Sequence, residues 1–421
     1  MKRLSLLLLA IFFALVLAAC GGDSDDNFRE TDSSDEQSTQ ENGASDDVDV
    51  VKIGSLHPLT GPQASEGQEM RDAIQLAIDE INENGGIQSL GGAKVELIDS
   101  DSENNPEKGI SEVQTMDSAG VVGIIGPYTT AVALAATQEA ERIGLPFIVD
   151  VGSADEITNR GFNYTFRIQP PASKFPEAFL KYVPELNEEY GVDLKTVINA
   201  HEDSDFGTGM ANVLKENAAA AGIEVLDTLP HPFDTADLSS DVNKIKSQNP
   251  DIVSATTYLN DGQLLVETLI GADVKPKAII GMASGAFSNA KFIREQTSIN
   301  QYIMDVNYAM NPNSDLTAEV KAKYEEKYNK GLGPNAAISY TAAKVLLDAI
   351  ERAGSTDRDA IREAIAETKL TDHILAQEEI IFDETGQNVN AQPVVNQIID
   401  GQSYVVMPEP YKEKDAVYPL P

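Results

Sequence analysis

The sequence predicts an α/β fold made of two lobes, each with a mainly parallel sheet flanked by helices. From residue 50 onward, short runs of β-branched and other apolar residues alternate with segments of helical periodicity, which is the pattern of βαβ units. The alternation restarts after the Pro170-Pro171 pair, so the units form two series. The 421 residues, 42% of them hydrophobic, are enough to build more than one core.

The first series begins at Val50–Ser55, an apolar run that predicts a buried strand. After a loop at Pro58–Pro62, apolar residues recur at helical spacing from Met70 to Ile81 and predict an amphipathic helix, which Gly85-Gly86 ends. The same rhythm predicts strand 95–99, a helix that begins at Pro106, strand 121–125, helix 131–142 and strand 146–149.

The second series has the same alternation and ends in short strands. Its predicted helices are 173–190, 208–221, 237–247 and 262–271, and its predicted strands are 196–200, 224–228, 252–256 and 278–281. Helices 314–330 and 336–352 follow, and then strands 380–383, 394–399 and 404–407.

The N-terminus resembles the signal of a bacterial lipoprotein. Two cations precede an apolar run, Leu4–Ala19, which is shorter than the ~20 residues of a membrane span. The run ends in Leu-Ala-Ala-Cys, and Cys20 is the only cysteine of the chain. We therefore expect residues 1–19 to be a lipoprotein signal peptide and Cys20 to carry the lipid. A plain signal peptide with an incidental cysteine is the alternative.

A polar, acidic segment separates this cysteine from the predicted folded body. Between Asp23 and Asp49 there are eleven acidic residues and a single base, Arg29. Such a composition buries too little apolar surface to offset the entropy of ordering the chain. Residues 20–49 are therefore predicted to be a disordered acidic tether.

Charge and motifs exclude several classes of function. The net charge of −37 disfavours nucleic acid and anionic lipid as partners of a basic surface. One cysteine and four scattered histidines give no metal-ligand spacing, and no phosphate loop, dinucleotide motif or nucleophile elbow is present. We expect no metal, no cofactor and no catalytic residue. The alternative is an extracytoplasmic enzyme that uses His201 with Asp203 and Asp205.

Polar residues follow two strands of the first series, at the sheet edge where open α/β proteins bind ligands. Thr129 and Thr130 stand where helix 131–142 begins, and their hydroxyls, together with free backbone N–H groups, suit a carboxylate. Val151 and Ser153 follow strand 146–149 in the same way. A helix-capping threonine and an ordinary Ser/Gly loop are the alternatives.

Aromatic residues hold the corresponding positions in the second series. Phe206 follows strand 196–200 and Tyr258 follows strand 252–256, so they can form an apolar wall with a hydrogen-bonding tip. A half-buried packing role is the alternative for Tyr258. Asp261, which lies nearby, is either a ligand contact or the N-cap of helix 262–271.

Five segments, in order over residues 50–405, resemble the branched-chain amino-acid-binding protein family, the type I periplasmic solute-binding proteins of ABC importers. They are Val51–Gly54 with Pro58–Gly61, Ile81–Ile87, Ile125–Pro127, Leu145–Phe147 and Asp205–Gly209. The lipoprotein signal is similar to the signals of such receptors.

The resemblance implies a two-lobed type I periplasmic-binding-protein fold with three hinge crossovers. The N-terminal lobe would be 50–170 plus 306–385, the C-terminal lobe 171–305 plus 386–408, and 409–421 a tail. The implied protein is a monomeric, membrane-anchored extracytoplasmic receptor. It binds a small amino acid, amide or carboxylate between its lobes and delivers it to an ABC permease. A receptor domain that senses the ligand for a signalling partner is the alternative.

The resemblance also assigns ligand contacts. Backbone and hydroxyl groups at Thr130, Val151 and Ser153 would hold the ligand, with Phe206 and Tyr258 as the aromatic contacts. Family members that bind amino acids carry an acid after the strand equivalent to 278–281, and none is present in Gly281–Gly285 here. Either an acid elsewhere pairs the ligand's ammonium group, or the ligand is an amide, a carboxylate or an aromatic acid. The candidate ammonium partners are Asp203, Asp205 and Asp261.

Overall fold

The computed structural model describes residues 48–421, so the predicted signal peptide, Cys20 and most of the tether lie outside the described residues. The strands of this part are β1 Val50–His57, β2 Lys94–Asp101, β3 Ile124–Gly126, β4 Phe147–Val149, β5 Thr165–Arg167, β6 Thr196–Glu202, β7 Glu224–His231, β8 Ile252–Thr256, β9 Ala278–Met282, β10 Met304–Asn307, β11 Val394–Ile399 and β12 Gln402–Met407. None of the helices described here is long and apolar enough to cross a membrane.

The helices alternate with the strands through most of the chain. They are α1 Ala64–Glu83, α2 Pro106–Ser118, α3 Thr130–Ile143, α4 Glu156–Asn159, α5 Lys174–Tyr190, α6 Asp205–Asn217, α7 Ser239–Gln248, α8 Leu259–Gly271, α9 Gly285–Ser288, α10 Ala290–Glu295, α11 Asp315–Tyr328, α12 Pro334–Ala353 and α13 Arg358–Ala366. Short 3₁₀ turns at Gln88–Leu90 and Ala218–Ala221 complete the helical elements.

The strands form two sheets. The first has the order β2-β1-β3-β4-β5, and all its strands are parallel. The second has the order β12-β11-β10-β9-β8-β6-β7, and only β11 and β12 run antiparallel to their neighbours. The predicted α/β class, with two mainly parallel sheets flanked by helices, is confirmed.

Helices cover both faces of the first sheet because its strands are apolar on both sides. Ile53 and Ile125 pack on one face in a cluster that includes α1 and α12. Leu56, Ile124 and Phe147 pack on the other face against α2 and α3. The stripe Met70–Ile78 of α1, which the helical spacing predicted, is buried in the first of these clusters.

The second sheet is covered in the same manner. Val197 and Ile252 face a cluster that contains α5 and α6. Ile198 and Val253, their neighbours along the strands, face α7 and α8. Since successive strand residues point to opposite faces, the continuous apolar runs in the sequence match burial on both sides.

The sequence pattern mistook or missed several short elements. The predicted strand 380–383 is wrong, because this stretch makes only isolated bridges, such as Leu370 with Ile380. Strand β6 continues to Glu202, beyond the predicted end at residue 200. Strands β5 and β10 and helix α13 have no counterpart in the prediction. The first two are short, and β10 contains the polar Asp305 and Asn307.

Strand pairing also bears on the expected lobe boundaries. Strand β10 stays in the second sheet through Asn307, whereas the expected boundary lies at 305/306. Gln387 still bridges to Arg167 of the first sheet, although 386–408 was assigned to the C-terminal lobe. The tail 409–421 packs on the second sheet's side, where Leu420 N donates to Lys277 O at 2.7 Å. The two-lobe division stays a proposal, with boundaries moved by a few residues.

Candidate functional site

A small cavity of about 30 Å³ lies where the carboxyl ends of the two sheets meet. Residues that follow strands of the first sheet line one side: Tyr128, Thr130, Val151, Ser153 and Gln169. Residues at or after the strand ends of the second sheet line the other: Phe206, Thr257, Tyr258, Ala283, Gly285 and Asn307. This is the sheet edge at which parallel α/β proteins bind ligands.

Two hydroxyl groups face each other at the first-sheet end of the cavity. Ser153 N donates a hydrogen bond to Thr130 Oγ1 at 3.1 Å, and the Oγ atoms of the two residues are 3.2 Å apart. Thr130 is the first residue of the 14-residue helix α3. The free N–H groups of a helix N-terminus favour a negative charge, and hydroxyl protons can be donated to it.

A buried network around Asp150 fixes the loop that carries Val151 and Ser153. The Asp150 carboxylate accepts hydrogen bonds from Val151 N at 2.8 Å and Ser339 Oγ at 2.6 Å. His57 Nε2 lies 2.8 Å from the same carboxylate, and all of these side chains except that of Val151 are fully buried. Helix α12 and strand β1 thus hold this loop in place.

A buried cation lies behind the same loop. Arg167 donates to Ser153 O at 2.7 Å and Ala154 O at 2.6 Å, and its Nε donates to Gln387 Oε1 at 2.7 Å. Burial lowers its pKa to about 10, so it stays charged at neutral pH. It forms no ion pair with any described residue, although Asp155 and Glu156 lie near enough to offset part of the lowering of its pKa.

Aromatic rings form the apolar wall of the cavity. The ring centroids of Tyr258 lie 5.6 Å from Tyr128 and 5.3 Å from Phe206, and Phe233 packs edge-on at 6.1 Å. Burial raises the pKa of Tyr128, Tyr258 and Tyr308 well above the ordinary value, so these phenols stay neutral. They can therefore donate hydrogen bonds but carry no negative charge.

The predicted ammonium partners lie outside the cavity. Asp203 and Asp205 are exposed, because β6 continues to Glu202 and leaves them where helix α6 begins. Asp261 is buried and lies 3.3 Å from His231 Nε2. It is in the first turn of α8, which begins at Leu259, and not at its N-cap.

Thr129 is placed differently from the other predicted ligand contacts. It is the N-cap residue of α3 but makes no side-chain capping bond, and it does not line the cavity. Thr130, Val151, Ser153, Phe206 and Tyr258 do line it. The structure thus brings five of the six predicted contacts together, and no acidic or basic side chain of the described residues is among the lining groups.

A hydrogen bond joins the two sides of the cleft near the cavity. Asn289 Nδ2, from the second-sheet side, donates to Glu66 Oε1 of α1 at 3.0 Å. Both residues are buried, and Glu66 Oε2 has no partner among the described residues. Burial raises the pKa of Glu66 to about 7, and the nearby Glu69 adds to this effect.

Sequence reasoning missed other lining residues. Gln169 follows the three-residue strand β5, and Asn307 and Tyr308 follow or end β10, so they were missed with their strands. Asn335 is the second residue of α12, after Pro334. The Gly333-Pro334 pair, a helix-start signal, was the one clue in the sequence to this last position.

The enzyme alternative finds no support in the site. His201 Nδ1 lies 2.8 Å from Glu202 O, and the exposed Asp203 and Asp205 do not join it in a cavity. The described residues contain no group of three potential metal ligands. A wider groove, of about 510 Å³, is lined by parts of α10, α11 and β12 and by none of the predicted contacts.

Comparison with known proteins agrees with this geometry. Residues 50–402 match the family described as "Periplasmic binding protein". The "Leu/Ile/Val-binding protein homolog 7" of Brucella suis is 31% identical over 375 residues, 85% of this chain and 92% of the relative.

Solved structures resemble the fold over most of its length. The Streptococcus pneumoniae branched-chain amino acid transporter substrate-binding protein LivJ, in complex with isoleucine, matches with a TM-score of 0.74 and 23% identity. That alignment covers 85% of this chain and 100% of LivJ. A solute-binding protein from R. palustris, in complex with benzoate, has a TM-score of 0.72 and 18% identity and covers 86% and 99%. The structure has two mainly parallel sheets with a cavity between their carboxyl ends, and the family match covers nearly the whole described body. The chain therefore belongs to the periplasmic binding protein family, and it is an extracytoplasmic solute-binding protein rather than an enzyme.

Proposed function

We propose that this protein is a lipid-anchored receptor that binds a small solute between its two lobes and delivers it to an ABC-type permease. The observation that carries this proposal is the cavity lined by residues from both sheets. A ligand that contacts both lobes favours the closed arrangement, because it makes all its contacts only when the lobes are together. A permease that recognises the closed form then binds the receptor together with its solute.

The relatives support a small organic solute. A Leu/Ile/Val-binding homologue, an isoleucine complex and a benzoate complex are among the proteins similar to this chain. Their named ligands share a carboxylate and an apolar body. Thr130 and Ser153 suit the carboxylate, and Phe206 and Tyr258 suit the apolar body. The receptor binds as a monomer, since both sides of the cleft come from one chain.

A thermal-shift screen of the purified full-length chain tests solute binding. Amino acids, small amides and small carboxylates are added at 100-fold excess over a micromolar Kd, where a bound ligand adds about 2.7 kcal/mol to stability. A rise in melting temperature that is lost in Thr130→Ala supports the proposal. No rise with any of these solutes refutes it. The chain has no Trp, so an external dye or tyrosine emission reports unfolding.

Two further experiments test anchoring and delivery. Metabolic labelling with a radioactive fatty acid should mark the wild-type chain and not Cys20→Ser, and equal labelling of both would exclude the anchor. Uptake of the bound solute by cells should fall when the gene is deleted. Unchanged uptake, with a lost transcriptional response to the solute, would favour the sensing role over transport.

A further inference from the structure

We propose that the cavity takes a small monocarboxylate that has an apolar or aromatic body and carries no ammonium group. This inference rests on the proposed function and narrows it to one class of ligand. It follows from the kinds of groups that line the cavity, which donate hydrogen bonds and carry no negative charge.

One end of the cavity suits an anion. The hydroxyls of Thr130 and Ser153 lie 3.2 Å apart and share one hydrogen bond, so the proton of the hydroxyl that accepts is available to a ligand oxygen. The N-terminus of α3 adds partial positive charge at the same place. Arg167, fully buried and without an ion pair among the described residues, bonds to Ser153 O and Ala154 O directly behind this end. A ligand carboxylate would therefore lie on the side of the cavity that holds this cation, whose charge Asp155 and Glu156 offset in part without a direct ion pair, and a nearby cation favours the charged form of a carboxylate.

Two buried acids, Glu66 and Asp261, lie near Tyr128 and Tyr258 with one carboxyl oxygen each unpartnered among the described residues, but neither lines the cavity where an ammonium group would contact it. The lining contains no described Asp or Glu, and the position after strand β9 is Ala283. Asp305, close behind the lining, already accepts from Ser284 N, Ser288 Oγ and Asn307 Nδ2 at 2.8–3.1 Å. An ammonium group buried in this cavity would lose its hydration, and no counter-charge in contact with it would offset that free-energy cost.

Three neutral acceptors of the lining are already bonded, whereas Gln169 Oε1 is without a partner among the described residues. The Val151 carbonyl accepts from Gln169 Nε2, and Asn335 Oδ1 accepts from the Tyr308 hydroxyl. Asn307 Oδ1 accepts from Tyr308 N. By contrast, the hydroxyls of Tyr128 and Tyr258 line the cavity with no bond to a described residue. These two unpartnered hydroxyls can donate to a ligand, which favours a ligand that accepts hydrogen bonds.

Isothermal titration calorimetry with matched ligand pairs tests this inference on the full-length chain at pH 7.5. The pairs are leucine with 4-methylpentanoate and phenylalanine with 3-phenylpropanoate, which differ by the ammonium group alone, and 4-methylpentanamide controls for the carboxylate. We expect at least one carboxylate to bind 10-fold or more tightly than its amino acid and than the amide. An amino acid or the amide that binds as tightly overturns the inference and leaves the proposed function standing. No binding of any of these, nor of any solute in the thermal-shift screen, overturns both.

A counter-charge introduced at Ala283 tests the physical reason. Ala283 lines the cavity and already has a positive φ of 54°, so a longer side chain adds no new backbone strain. Ala283→Glu should bind leucine at least 10-fold more tightly than Ala283→Gln does, and should bind 4-methylpentanoate more weakly. Melting curves check that both variants fold. Equal leucine affinity in the two variants would contradict the inference that a missing counter-charge excludes amino acids.

Discussion

Replacing Glu66 by Gln should remove part of the pH dependence of the protein's stability. The Glu66 carboxyl is buried at the junction of the two sides of the cleft, bonded to Asn289 through one oxygen only. Its pKa is raised from 4.5 to about 7, chiefly by burial. Between these two pH values the folded chain holds a proton that the unfolded chain releases. The contribution of Glu66 to the free energy of unfolding is therefore highest below pH 4.5 and falls as the pH rises to about 7.

The magnitude follows from the size of this pKa difference. Each pKa unit corresponds to ~1.4 kcal/mol, so the full change is about 3 kcal/mol. Between pH 5 and pH 8, where the unfolded carboxyl is already partly ionised at the lower pH, roughly 2–3 kcal/mol of it is expressed. A glutamine has the same shape and no titration, so Glu66→Gln should gain about this much relative to the wild type as the pH rises.

Urea unfolding at pH 5 and pH 8 measures the effect. Burial also raises the pKa of Asp305 to about 7. Asp305 gives the same pH dependence of stability to both proteins, so its effect cancels in the difference between them. Glu216→Gln, at an exposed position on α6, is the matched control for the loss of one carboxylate. A stability difference between Glu66→Gln and the wild type that is equal at both pH values would refute the reasoning.

Four other substitutions probe the site and its support. Thr130→Ala and Ser153→Ala should each weaken ligand binding by roughly 1.5–3 kcal/mol, because each removes a hydrogen bond to a charged group; calorimetry measures this, and unchanged affinity in both would place the ligand elsewhere. Arg167→Met should lower the free energy of unfolding by at least about 2 kcal/mol, since it leaves buried carbonyls without their donor; an unaltered urea midpoint would contradict this. Gly126→Ala should destabilise by more than about 2 kcal/mol, because the residue has φ +139° and the new Cβ would lie 2.3 Å from Leu56 O; a melting temperature equal to the wild type's would show that the turn adapts.

Periodicity predicted the larger elements because these are apolar on a regular spacing. The stripe from Met70 to Ile78 and the continuous run of β8 lie in the core as expected. The periodicity did not predict strand β10, because two of its four residues, Asp305 and Asn307, are polar and yet buried. Their partners, such as Ser288, become visible only when the chain has folded. Because this strand was not predicted, the lining residues at its end, Asn307 and Tyr308, were not predicted either.

The hydrogen-bond network that supports the site could not be predicted from the sequence either. Asp150 joins His57 and Ser339, which are 93 and 189 residues away in the sequence, in one buried network. No spacing rule connects residues so far apart. By contrast, Thr130 and Ser153 were found because each follows a predicted strand directly, and the carboxyl ends of parallel strands meet at one edge. Position relative to a strand was therefore the useful signal, and it worked only where the strand itself was recognised.

The central idea is that one small solute is enclosed between the two sheets, in contact with both. A crystal structure of the chain with its tightest-binding solute tests this most directly. We expect the solute's carboxylate within hydrogen-bond distance of Thr130 or Ser153, and its apolar part against Phe206 and Tyr258. A solute bound to residues of one sheet alone, or in the wider groove beside α11, would contradict the account.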